Sequence, residues 1–165
     1  MAARPHVEAL QREAELGGGV EDLGIVGGLC ACAFDPRYGE AWTPAQCAGM
    51  FALPGVWMTI AVRDDRAVGF AMSRAILDDA ELLLLAVDPA ARRGGAGRAL
   101  LRATIVEAQL RGATNLHLEV RSGNPAVALY AEEGFTKIGE RRNYYRGAAG
   151  EQFNAQTFRR SIIEE

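Results

Sequence analysis

The chain has 165 residues, a formal net charge of −3 and an ordinary balance of 49% apolar and 24% charged side chains. That length suits one domain with a proper core, predicted over residues 1–165. The mild acidity argues against nucleic acid as the main partner, no apolar run approaches the about 18 residues of a membrane span, and residues 1–20 lack the apolar region of a secretion signal.

Residues 6–16 read equally as a helix or a poor first strand, ended by Gly17, Gly18 and Gly19. Residues 20–34 carry a helical stripe, Leu23, Val26, Cys30 and Ala33. Gly24, Gly27 and Gly28 weaken it by about 1 kcal/mol each relative to alanine. The three cysteines, Cys30, Cys32 and Cys47, are an odd number with no histidine near them in sequence. Neither a disulfide framework nor a metal site is expected, the cysteines are assigned to the core, and a reducing cytoplasm is the predicted compartment. Residues 35–42 form a loop in which Tyr38 and Trp42 either wall a cleft or cover the core. Thr43-Pro44-Ala45-Gln46 is a capping box with proline in the first turn, opening a helix to about residue 52.

Residues 56–63 and 67–77 predict an antiparallel hairpin around Asp64-Asp65-Arg66. Asp78-Asp79 turns the chain into a third strand over residues 82–87. That run is short and wholly apolar, the pattern of a strand buried on both faces. Asp88-Pro89 ends it, because proline has no N–H for a ladder. Arg92, Arg93, Gly94, Gly95, Ala96, Gly97 and Arg98 follow. From Ala99 the residues Leu100, Ala103, Val106 and Leu110 recur at helical spacing, and Gly112 ends the helix.

Strand, glycine-rich basic loop, then helix is an arrangement that favours an anion. The first N–H groups of a helix lack internal partners, and its dipole places positive charge there. Glycines let a phosphate approach the backbone. Arg98-Ala99 lacks the Lys-Ser/Thr of a Walker loop, and Leu100 stands where a dinucleotide fingerprint needs its third glycine. Arg-x-x-Gly-x-Gly, from Arg92 through Gly95 to Gly97, is read as a pyrophosphate cradle.

Residues 115–121 form the next strand. Leu116, Leu118 and Val120 lie on one face; His117, Glu119 and Arg121 lie on the other. The strand is predicted parallel to 82–87 through a crossover helix. A glutamate there needs a partner, a proton or a wet cleft, and pairing with Arg121 or another arginine is the plainer reading. Asn124-Pro125 opens a short helix to residue 133, closed by Gly134. Residues 135–145 and 153–159 form the final strand pair.

The order strand, Arg-x-x-Gly-x-Gly, helix, LEVR, Asn-Pro, ALY and GF resembles the GNAT N-acetyltransferase superfamily. LEVR, ALYAEEGF and RRNYY resemble its ribosomal-protein-alanine N-acetyltransferases, from about Glu81 to Tyr145. The resemblance implies an α/β (α+β) GNAT fold: a mixed, mostly antiparallel sheet of six to seven strands, a splayed parallel pair, and helices on both faces. It implies acetyl-CoA as co-substrate, no metal, and a protein N-terminus as acceptor, with a ribosomal protein one candidate. By that resemblance Glu119 matches the general base and Tyr130 the general acid. Leu85, Ala86 and Val87 match the backbone along the pantetheine arm. Arg92, Arg93, Gly94, Gly95, Ala96, Gly97 and Arg98 match the pyrophosphate loop, and Asn124 a coenzyme contact. RRNYY matches a segment that helps bind the acceptor peptide.

The loop after Glu119 is one residue shorter than this type leads one to expect, so residues 122–125 must absorb a rotation of about 100° per residue. His117 is a minor alternative base. A small amine is the alternative acceptor, for which Asp35, Glu40, Asp78 and Asp79 could line a cleft. A non-catalytic acyl-CoA-binding domain is the third reading. Oligomeric state, a homodimer included, is left open.

Overall fold

The computed structural model describes residues 7–12 and 20–163. Its elements in chain order are β1 (Glu8–Arg12), α1 (Val20–Ala33), α2 (Pro44–Phe51), β2 (Val56–Arg63), β3 (Arg66–Ile76), β4 (Asp79–Val87), α3 (Ala96–Leu110), β5 (Asn115–Arg121), α4 (Ala126–Glu132), β6 (Thr136–Arg146) and β7 (Gln152–Ser161). They build one seven-stranded sheet in the order β1-β2-β3-β4-β5-β7-β6. Every pairing is antiparallel except β4 with β5. The open choice at the N-terminus thus falls to a strand over Glu8–Arg12; residues 13–19, with the three glycines, lie outside the described residues.

Each face of the sheet has its own apolar cluster. Leu100, Leu101 and Ile105 of α3 and Tyr130 of α4 pack on Trp57, Ala71, Leu82, Leu116 and Leu118. Val26 and Cys30 of α1 and Cys47 and Phe51 of α2 pack on Met58, Ile60, Phe70, Met72, Leu84 and Ala86. Each Leu, Ile, Val, Met or Phe among them contributes about 1.5–3 kcal/mol on burial. Leu82 and Leu84 share parity yet lie in opposite clusters. The cause is a bulge at Leu83: Met72 pairs with Leu84 while the next residue, Ser73, pairs with Leu82. A bulge inserts one residue and re-aims the strand. Pairing of β4 with β5 runs only from Asp79–Asn115 to Leu82–Leu118, so the strands part where the bulge sits.

Turns follow their chemistry with two corrections. Asp64 and Asp65 both take positive φ (52° and 59°), the two-residue hairpin turn that matches strand twist, and Arg66, expected in the turn, is the first residue of β3. The next turn is centred on Leu77 and Asp78 instead of Asp78-Asp79, so β4 begins at Asp79 and not at Leu82. Leu77 takes φ 56° and is 90% exposed, an apolar tip that composition does not announce. The core assignment also fails for Cys32, which is exposed; Cys30 and Cys47 are buried. Burial first, then the neighbouring Cys47, pushes the Cys30 thiol up to about 12. The Thr43 capping box forms on α2, with Thr43 accepting from the Gln46 N–H and Gln46 from the Thr43 N–H.

Candidate functional site

α3 starts at Ala96, three residues before its apolar stripe, so Ala96, Gly97 and Arg98 form its first turn. Gly95 precedes it at φ 87°, and no side chain caps the free N–H groups. A Cβ on Gly95 would meet nothing within 4 Å, so the space beside the helix start is open. An uncapped helix start facing open space is what an anion requires.

The arginines around it are not all free. The Arg92 Nη2 donates to the Ala33 carbonyl at the end of α1 at 2.6 Å. Arg98 pairs with Glu132 and Glu133, and Arg102 joins Glu133 at 3.1 Å. Hydrogen bonds from Arg102, supported by Arg98, hold the Glu133 carboxyl below the usual carboxylate range despite its burial. Gly94 is covered: the Arg63 Nη2 donates to its carbonyl at 3.0 Å, and a Cβ there would lie 2.1 Å from that nitrogen.

A cavity of about 910 Å³ runs from this loop along β4 into the gap between β4 and β5. Leu85, Ala86, Val87, Arg92, Arg93, Gly95, Ala96, Gly97, Arg98, Glu119, Asn124 and Tyr130 all line it. Of the residues singled out in sequence, Gly94 is not among its walls.

Glu119 points into this cavity with 12% of its side chain exposed, and its Oε1 lies 2.7 Å from the Arg141 Nε. The arginine partner is therefore Arg141 of β6, an outer position 62% exposed, and not Arg121. Asn143 takes φ 54° and its N–H donates to the Asn154 Oδ1 at 3.1 Å, marking an irregularity in β6 between Arg141 and Tyr145. That irregularity turns both Tyr144 and Tyr145 into the cavity, where an even strand would alternate them. Burial, then the charge of Glu119 and a hydrogen bond to it, raise the Tyr144 pKa.

Tyr130 lies on α4, 5% exposed, edge-on to Phe135 at 6.0 Å. Burial, then the charge of Glu40, raises its pKa, so it keeps its proton at neutral pH. Asn124 does the work of a cap although α4 proper begins at Ala126: its Oδ1 accepts the Ala126 N–H at 2.8 Å. Its amide is committed to Glu40 at 2.6 Å. In the loop after Glu119, Gly123 takes φ 84° and the Asn124 N–H donates to the Arg121 carbonyl at 3.0 Å.

His117 sits 3.4 Å from Asp79. With Asp78 and Asp79 it lines a separate cavity of about 420 Å³. Asp35 and Glu40 line the larger one, with Tyr38 and Trp42. Glu81 is a wall residue that the sequence reading passes over. It pairs in register with His117, and burial raises its pKa. The β4 bulge conceals the face it occupies. Among the described residues no helix is long and apolar enough to cross a membrane.

Residues 25–135 match the profile of the Acetyltransferase (GNAT) family. The chain is 47% identical over 90 residues to a [Ribosomal protein bS18]-alanine N-acetyltransferase of Salmonella typhimurium, covering 54% of this chain and 61% of that one. The Escherichia coli K12 protein of the same name is 45% identical over 84 residues, 50% of this chain and 57% of that one. The chain therefore spans only about six-tenths of the length of these curated relatives. An N-alpha-acetyltransferase RimI of Mycobacterium tuberculosis is 36% identical over 119 residues, 69% of this chain and 73% of that one. The crystal structure of the Escherichia coli ribosomal-protein-S18-alanine N-acetyltransferase superposes with a TM-score of 0.81 at 29% identity, over 97% of this chain and 96% of that one.

Proposed function

The chain belongs to the acetyltransferase (GNAT) family, and on that premise we propose that it transfers acetyl from acetyl-CoA to the N-terminal α-amine of a protein, with a ribosomal protein's alanine terminus as the leading acceptor. One observation carries the reading. β4 and β5 part after Leu82 and Leu118, and the gap joins an uncapped helix start at one end to Glu119 and Tyr130 at the other. The relatives' named acceptor, ribosomal protein bS18, supplies the acceptor class.

The donor fits these residues. The N–H groups of Ala96 to Arg98 and the open space at Gly95 would take the pyrophosphate, with Arg93 beside them. Leu85, Ala86 and Val87 would run along the pantetheine arm. The acetyl thioester supplies the electrophile, and the Val87 N–H is the candidate to hold its carbonyl oxygen.

An ammonium cannot attack a thioester, so a proton must leave first. An α-amine has a reference pKa near 8 against about 10.4 for lysine, a gap of roughly 3.3 kcal/mol that the enzyme need not supply. Glu119 takes that proton, directly or through water. Tyr130, kept protonated by burial, returns one to the departing sulfur. No covalent enzyme intermediate is required, and Cys30 and Cys47 lie packed beneath α1 and α2.

A small-amine acceptor is less well supported. Asp78 and Asp79 line the other cavity, and Glu40 is spent on Arg121 and Asn124. Peptides with free N-termini, lysine peptides with blocked termini and small amines, each with acetyl-CoA and followed by free-thiol release, test the reading. Turnover on free N-termini alone supports it. Turnover on small amines alone, or none at all, overturns it.

A further inference from the structure

Glu40 is assigned no proton transfer, yet two hydrogen bonds fix its carboxylate beside the cavity. It stands in the loop between α1 and α2, and its side chain is 11% exposed. Its Oε1 accepts from the Arg121 Nε at 2.7 Å, and its Oε2 accepts from the Asn124 Nδ2 at 2.6 Å. Arg121 is 9% exposed, lies over the Tyr38 ring at 3.6 Å and donates to the Ser122 carbonyl.

The same loop is fastened on its outer side to the loop between β6 and β7 and to the start of β7. The Ala148 N–H donates to the Pro36 carbonyl at 3.1 Å, and Tyr38 meets Phe153 edge-on at 5.1 Å. The fit is reciprocal: a Cβ on Gly39 would lie 2.0 Å from the Arg146 carbonyl oxygen, and one on Gly147 would lie 1.7 Å from that of Arg37. The two loops form an arch beside the cavity. On its inner side, Asn124 also anchors α4 by accepting the Ala126 and Val127 N–H groups, and α4 carries Tyr130.

We propose that Glu40 is a positioning residue, a strut that fixes the acceptor-side arch to the end of β5 and, through Asn124, to the helix bearing Tyr130. Its kinetic consequence rests on the function proposed above; its structural consequence does not. A glutamine at this position keeps the shape but turns an N–H₂ toward a donor, so one of the two bonds is lost. In E40Q, amides of residues 35–42 and 147–151 are expected to exchange at least about tenfold faster, with β2 and β3 unchanged. The KM for the acceptor peptide is expected to rise about tenfold and kcat to fall, while coenzyme A affinity stays within about twofold.

G147A opens the arch from its outer side without touching the buried pair, and it carries the test if E40Q does not fold. It should raise exchange over residues 35–42 and the acceptor KM, with kcat less affected. Parent-like exchange in both variants overturns the strut. So does an E40Q whose loss falls on coenzyme A affinity and leaves acceptor KM unchanged. If the parent acetylates no N-terminus but E40Q still loosens the arch, the strut stands and the proposed function falls.

Discussion

Gly69 of β3 pairs with Val87 at the end of β4, directly beneath the segment assigned to the thioester. A Cβ at Gly69 would lie 2.8 Å from the Ala86 carbonyl oxygen, 3.1 Å from the Leu100 Cδ1 and 3.3 Å from the Val87 Cγ2. The first contact is with backbone, so it cannot be relieved by rotating a side chain. β4 must move by a few tenths of an ångström, or Leu100 must leave its place at the root of α3. Overpacking of this kind costs about 1–3 kcal/mol. For a chain of this size that is a fall in Tm of about 2–12 °C. The displaced atoms are those proposed to hold the acetyl group, and misplacement by about 1 Å costs on the order of a hundredfold in rate. G69A should therefore lower kcat/KM by roughly tenfold or more at a temperature where it remains folded. Calorimetric melting and steady-state thiol release read the two effects separately. Parent-like melting and turnover in G69A would refute the claim that the edge of β4 is both packed and functional.

Further outcomes follow from the same geometry. E119Q should lower kcat/KM by about 10²–10⁴, and Y130F by a similar factor, with coenzyme A affinity unchanged; R141A, at a 62% exposed position, should change stability by less than about 1 kcal/mol. The depressed Glu133 carboxyl contributes stability that is fully present above its unfolded value of 4.5 and is lost as pH falls through its lower folded value. Melting across pH 2–6 should show E133Q less acid-sensitive than the parent below pH 4.5. On α1, a Cβ at Gly24 or Gly28 meets nothing within 4 Å, so each change to alanine should add about 0.5–1 kcal/mol, read as a rise in the urea midpoint.

The order of elements was legible wherever local chemistry decides it. The Thr43 capping box, the Asp64-Asp65 turn and the glycines at 95, 112 and 134 each require a particular backbone, and each took it. The cradle was legible for the same reason, since glycine spacing before an apolar helical stripe is a local signal. What escaped was set by register and by long-range pairing. The bulge at Leu83 reverses the faces of β4, and no residue at that point announces it. Glu81 precedes the apolar run at 82–87, so the sequence assigns it no face, and it is a wall of the cavity. The partner of Glu119 depends on β6 reaching across β7, with 22 positions separating Glu119 from Arg141 in sequence. Glu40 and Asn124 are further apart still, and only the folded loop brings them together. Composition overrates the cradle's free charge, because Arg98 is drawn to Glu132, the last residue of α4, and to Glu133 just after it.

Titration calorimetry of the parent chain with coenzyme A, paired with a melting curve at saturation, tests the central claim most directly. A ligand at about 100 times its Kd stabilises the folded state by about 2.7 kcal/mol, a gain of roughly 5–11 °C for a chain of this size. A single-site binding heat with that gain, both diminished when Gly95 is replaced by valine, is the expected result. No heat and no gain in Tm at millimolar coenzyme A would contradict the assignment of the Arg92–Arg98 loop and everything built on it.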